Sequence, residues 1–118
     1  MNNEQGFDQS MIDAAMSIIV DAGDARLAVT ECFKAIAEAN FDGARAKLDE
    51  ARKLLAKAHG KQTDIIQDEC AGEMHQHPLL FIHAQDTLMT IKSEMDTCHH
   101  IMTICEGYEK RLNALEKE

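Results

Sequence analysis

Residues 82–90, with the sequence IHAQDTLMT, place an imidazole, an amide and a carboxylate close together in a largely apolar stretch. His83 supplies an imidazole, the side chain whose neutral ring can act as a nucleophile near neutral pH. Gln85 can donate or accept hydrogen bonds, and Asp86 carries the kind of oxygen ligand that hard cations prefer. This stretch is therefore the first candidate for chemistry in the chain.

Each of these side chains also has an ordinary structural interpretation. His83 is consistent with a solvated histidine on a helix, and Gln85 and Asp86 with exposed polar residues. Gln62 interrupts an apolar series earlier in the chain, where a buried amide either fixes the packing register or lies beside a functional site. The pattern alone leaves both interpretations open.

Three long helices are predicted to position these groups, over residues 9–39, 42–70 and 79–116. In each, apolar residues recur in alternating steps of three and four, which is typical of a heptad seam. The residues 40–43, Asn-Phe-Asp-Gly, supply a turn and an N-cap for the second helix. The third helix carries the seam residues Ala84, Leu88, Ile91, Met95, Cys98, Met102 and Cys105.

This organisation predicts an all-α fold, an antiparallel up-down-up three-helix bundle. The chain of 118 residues fits one domain, and residues 71–78, which contain Gly72 and Pro78, are predicted to be its only substantial loop. If Ala84 and Leu88 face the core, a mixed polar and apolar face of helix 3 points away from it, which makes the first half of that helix a candidate subunit interface. This face comprises Leu79, Ile82, His83, Asp86, Met89 and Thr90.

Charge and composition exclude several functions. The net charge of −9 argues against nucleic-acid binding, which needs clustered cations. No apolar run approaches the roughly 20 residues that cross a bilayer, and the first residues do not read as a signal peptide, so we expect a cytoplasmic protein without membrane insertion. The four cysteines lack CxxC spacing and fit reduced thiols. His75 and His77 fall in the loop, and the adjacent His99 and His100 cannot form an i, i+4 zinc pair.

The sequence from His83 to Asp86, followed by Leu88-Met89-Thr90, resembles the motif of the lactose/cellobiose-type (also N,N'-diacetylchitobiose) enzyme IIA of the bacterial sugar phosphotransferase system. Residues 22–26, 58–63 and 71–73 are also similar to segments of that family. One position departs from the pattern, because Thr87 stands where members usually have a second histidine. The departure leaves open any role of that second ring in orienting phosphate.

The resemblance implies that His83 accepts a phosphoryl group, as tele-phosphohistidine, from the phosphohistidine of the small phosphocarrier protein. The group then passes to a cysteine of enzyme IIB, for uptake of a β-linked disaccharide through a membrane enzyme IIC. Gln85 is then a candidate for orienting the ring or contacting phosphate, and Gln62 a candidate neighbour of the site.

The resemblance also implies a homotrimer with coiled-coil-like packing, in which three copies of Asp86 meet at the threefold axis. Three neighbouring carboxylates repel unless a hard cation or shared protons neutralise them. We therefore expect one Mg²⁺ per trimer, held by Asp86.

Two alternatives remain at the level of the sequence. Histidine-phosphotransfer modules of two-component signalling are also helical, but they usually carry His-x-x-Lys-Gly, and here Asp86-Thr87 stands where Lys-Gly would be. A non-catalytic helical assembly protein would form oligomers without becoming a phosphoprotein.

Overall fold

The computed structural model describes residues 9–72 and 79–118, and within these ranges every regular element is a helix. The helices are α1 (Gln9–Ala37), α2 (Phe41–Cys70) and α3 (Leu79–Glu116). The prediction of an all-helical chain with three helices is confirmed. Most of the predicted loop, residues 73–78, lies outside the described residues, as do His75 and His77. None of the described helices is long and apolar enough to cross a membrane.

The connection between α1 and α2 covers residues 38–40 and is one residue longer than predicted, since α1 ends at Ala37, two residues before the predicted end, and α2 begins at Phe41. Ala39 adopts a positive φ of 57°, a left-handed conformation that cannot continue a right-handed helix. Within the segment 40–43 that was predicted to supply an N-cap, the capping residue is Asn40, whose side-chain oxygen accepts a hydrogen bond from the backbone N–H of Gly43 at 3.0 Å. A Cβ at position 43 would collide with the Asn40 amide, so a larger residue there would displace the capping side chain.

The predicted seams form the core, which is rich in small side chains. Alanines buried on all three helices let the backbones approach closely, and larger residues such as Ile18, Leu48 and Leu88 fill the remaining space. The Cys98 thiol donates to the Cys32 sulfur across α1 and α3 at 3.4 Å. Burial raises the pKa of Cys98 to about 12, and the hydrogen bond with Cys32 adds to the rise, so Cys98 stays a thiol at neutral pH.

Ion pairs show which parts of the helices lie side by side. Late α1 contacts early α2 through Glu31 and Lys47, whose charged atoms lie 2.6 Å apart. Early α2 contacts late α3 through Arg45 and Glu106, 2.7 Å apart. These exposed pairs contribute little energy individually, but they show how the helices are aligned along their length. The result is a long, narrow molecule measuring 73 × 23 × 18 Å.

Candidate functional site

His83 is the fifth residue of α3 and its side chain is exposed. Its neighbour Ala84 and the next seam residue Leu88 are buried, so the rigid packing of α3 fixes the direction in which the ring leaves the helix. Helical side chains point back toward the N-terminus, where unpaired backbone N–H groups and the helix dipole favour negative charge. An imidazole at this position is accessible to another protein and is suited to carrying an anionic group.

The surface around His83 mixes polar and apolar side chains, as predicted from the spacing. Asp86 and Thr90 are exposed on the same side of α3. Leu79 is 81% exposed, and Ile82 and Met89 are each nearly half exposed. A patch of this composition is typical of a surface that another protein covers.

Gln85 faces a different direction from His83. Residues two apart on an α-helix diverge by about 200°, and Gln85 turns toward α2, where its side-chain oxygen accepts a hydrogen bond from the Gln62 amide at 3.4 Å. Gln62 is 7% exposed, which confirms that an amide is buried in the seam of α2. The structure therefore brings the two glutamines together. In the part of the chain it describes, no hydrogen bond joins either amide to the His83 ring.

Asp86 offers a single carboxylate on an open face of α3. Glu94, which also borders this face, is paired with Arg26 of α1 at 3.2 Å. Within residues 9–72 and 79–118, no group of three or more histidine, cysteine or acidic side chains is arranged to hold a metal ion. The donor chemistry of Asp86 fits a hard cation, but one subunit supplies too few ligands for it.

A second polar cluster, between α1 and α2, was not predicted from the sequence. Asp21 is 6% exposed and pairs with Lys61 at 3.0 Å and with Lys57 at 3.7 Å. Lys61 also donates to the hydroxyl of Ser17. A buried carboxylate requires cationic partners of this kind. In the sequence, the only sign of the cluster was the four-residue spacing of Lys57 and Lys61, which places both on one face of α2. The cluster links α1 to α2 at Lys61, the residue directly before Gln62.

A groove of about 390 Å³ opens between α2 and α3. Its apolar lining includes Leu55, Leu88 and Met95, and Arg52 and Lys92 border it. Leu88 lies about 140° around α3 from His83, so the groove belongs to a different face of the subunit.

Comparison with known proteins gives consistent matches over most of the chain. Residues 13–106 match the family model described as "PTS system, Lactose/Cellobiose specific IIA subunit". The lichenan-specific phosphotransferase enzyme IIA component of Bacillus subtilis (strain 168) is 36% identical over 102 residues, covering 86% of this chain and 90% of that protein.

Two solved structures share the fold. PtcA from S. mutans is 35% identical, with a TM-score of 0.82, over 83% of this chain and 96% of that one. The N,N'-diacetylchitobiose IIA of Escherichia coli, whose structure was determined in complex with HPr, is 28% identical, with a TM-score of 0.72, over 84% of this chain and 96% of that one.

Proposed function

The chain belongs to the lactose/cellobiose-specific IIA family of the sugar phosphotransferase system, and we propose that it carries a phosphoryl group on His83 between two protein partners in the cytoplasm. The donor is the phosphohistidine of an HPr-type phosphocarrier, and the acceptor is a cysteine of enzyme IIB. The transported sugar is a β-linked disaccharide. The observation that carries this proposal is an exposed histidine held by a rigid helix within the family motif.

For this transfer the protein mainly has to position the reacting groups in line and stabilise the negative charge of the phosphoryl group. The Nε2 lone pair of neutral His83 attacks phosphorus in line with the donor's N–P bond. That bond breaks, and the donor ring keeps the electron pair and takes a proton from solvent, while the His83 ring loses its Nδ1 proton to solvent, so that no net proton is consumed. In the second step a thiolate of enzyme IIB attacks the same phosphorus, and the N–P bond to His83 breaks. The ring then returns to its neutral state for the next cycle.

We further propose that three copies assemble as up-down-up bundles with Asp86 at the threefold axis. The exposed carboxylate of Asp86 supports this arrangement, because three copies together supply three oxygen-bearing groups of the kind that Mg²⁺ prefers. Relative to Asp86, His83 lies about 60° to one side of α3 and Gln85 about 100° to the other. In a cyclic trimer each flank faces the opposite flank of the next copy, so Gln85 of a neighbouring copy approaches the His83 ring.

The function is tested by incubating the chain with phosphoenolpyruvate, enzyme I and HPr, and measuring intact mass. We expect one added phosphoryl group that is stable in base and labile in acid, as a phosphoramidate is. Fragmentation under basic conditions should place it on His83. A label on His59, which is also exposed and lies on α2, or no label at all, contradicts the proposal. A label on wild type is also incompatible with a purely structural assembly protein.

The metal assignment is tested with Asp86→Asn. We expect Mn²⁺, used as a spectroscopic probe for Mg²⁺, to bind wild type at one ion per three chains and the variant not at all. The metal-free variant trimer should dissociate at lower concentration than the metal-free wild type, because the charge repulsion is gone. Asp96→Asn is the matched control, since Asp96 is exposed on α3 and paired with Lys92. Unchanged Mn²⁺ stoichiometry in Asp86→Asn overturns the assignment.

A further inference from the structure

Gln62 interrupts an otherwise apolar series on α2. Every other residue that this helix buries is an alanine, a leucine or an isoleucine, whereas Gln62 carries an amide and is 7% exposed. Apolar groups of the same shape can replace hydrogen-bonded polar groups in a core at little cost in stability. Core packing therefore gives no reason for an amide at this position, and its role lies in the contact that it makes.

The hydrogen bond between Gln62 and Gln85 has a direction. The Gln62 Nε2 group donates to Oε1 of Gln85 at 3.4 Å, so the oxygen of the Gln85 amide is held on the buried side. Gln85 is only half-buried, and the oxygen and nitrogen of a planar amide point away from each other. The Gln85 NH₂ group therefore faces outward, as a hydrogen-bond donor on this flank of α3.

The position of Gln62 is fixed from α1. The preceding residue, Lys61, binds the buried carboxylate of Asp21 at 3.0 Å and donates to the Ser17 hydroxyl. These contacts hold this turn of α2 against α1, so the Gln62 amide reaches Gln85 from a rigid support. A half-buried glutamine without such a partner samples several rotamers and both orientations of its amide.

We propose that Gln62 is a positioning residue for phosphoryl transfer, because its bond to the Gln85 oxygen turns the Gln85 NH₂ group toward the phosphoryl group on His83. This inference rests on the proposed function, in which Gln85 of a neighbouring copy approaches the His83 ring. The phosphoryl oxygens carry negative charge, which an N–H donor stabilises and an amide oxygen repels. A donor that is oriented before the reaction needs no reorganisation during it.

The proposal is tested with Gln62→Met on the full chain, by measuring transfer from phosphorylated HPr to His83 with rapid quenching. Methionine keeps the length of glutamine but cannot donate, so the urea unfolding midpoint should be unchanged or raised. We expect the maximal rate to fall about 5-fold, because the Gln85 donor is no longer oriented. The HPr concentration that gives half the maximal rate should stay the same, since the docking surface is intact. Gln67→Met, the same change at an exposed position of α2, is the matched control and should transfer like wild type.

A double-mutant cycle separates positioning from packing. Gln85→Met removes the donor itself and should slow the maximal rate by about 100-fold. Adding Gln62→Met to Gln85→Met should cause no further loss, because Gln62 acts only through Gln85. A packing role for Gln62 predicts a loss of the same size in both backgrounds.

The direction of the bond is tested with Gln62→Glu. A carboxylate accepts and cannot donate, so the Gln85 amide turns over to donate to it and presents its oxygen to the phosphoryl group. We expect a loss of at least about 20-fold in the maximal rate, larger than that in Gln62→Met. A smaller loss in Gln62→Glu than in Gln62→Met contradicts the proposed orientation.

Equal maximal rates in wild type and Gln62→Met overturn the positioning role, as does an undiminished effect of Gln62→Met in the Gln85→Met background. Labelling of wild type separates this proposal from the one on which it rests. If wild type is labelled on His83 and either of these results is found, the positioning role alone is rejected. If wild type takes no phosphoryl group, the carrier function is rejected as well.

Discussion

Replacing His83 with alanine is expected to reduce phosphoryl transfer from HPr to enzyme IIB by about 10⁴-fold or more. The covalent intermediate cannot form without the nucleophile, and loss of a nucleophile typically costs this much or more. Stability should change little, within about 0.5 kcal/mol, because the side chain is exposed and the substitution leaves the core intact. The measurement is the transfer rate with purified partners, followed by phosphorylation of enzyme IIB.

His59→Ala is the matched control for this prediction. His59 is an exposed helical histidine, and its ring lies 3.5 Å from the Thr63 hydroxyl one turn further along α2. Its loss should leave the transfer rate near that of wild type. Transfer that survives in His83→Ala and disappears in His59→Ala would move the phosphoryl site to α2.

Leu88→Ala is expected to lower the free energy of unfolding by about 2.7–5 kcal/mol. Leu88 is 1% exposed, and truncation leaves a cavity among tightly packed helices that can close only partly. Ile66→Ala, at a position 46% exposed on α2, removes apolar atoms that already touch solvent and should cost much less. Both values come from urea unfolding at one fixed protein concentration, since the proposed assembly would make stability depend on concentration.

A loss of less than about 1 kcal/mol in Leu88→Ala would show that α3 is not anchored by its seam. Core packing of α3 would then not be what holds the His83 side chain in one direction. Because Leu88 belongs to the same short motif as His83, this result bears on function as well as on folding.

The sequence was sufficient to predict the three helices and the face of α3 that carries His83. Heptad spacing determines which residues of a helix can be buried together, so Leu88 could be assigned to the core and Met89 to its edge without coordinates. An N-cap within residues 40–43 could be predicted because few residue types satisfy free backbone donors at a helix start, and in the structure this residue is Asn40. These features depend on local spacing and side-chain chemistry.

Pairings between helices could not be predicted in the same way. The contact between Gln62 and Gln85 and the burial of Asp21 depend on the axial register of one helix against another, which spacing within each helix does not define. The neighbourhood of Cys32 and Cys98 has the same origin, because only thiols on one helix have a separation that can be read from the chain. For His83, the proposed surroundings include other copies and partner proteins, which no single chain contains.

The elongated shape of this chain affects how its oligomeric state must be measured. Its radius of gyration is 19.1 Å, whereas a compact domain of this length has about 13.5 Å. Such a rod has a larger hydrodynamic radius than a sphere of 13.2 kDa, so a monomer would elute early from a sizing column and tumble slowly in solution. Elution volume would therefore mimic an oligomer, and only methods that report molar mass independently of shape, such as light scattering, distinguish one copy from three.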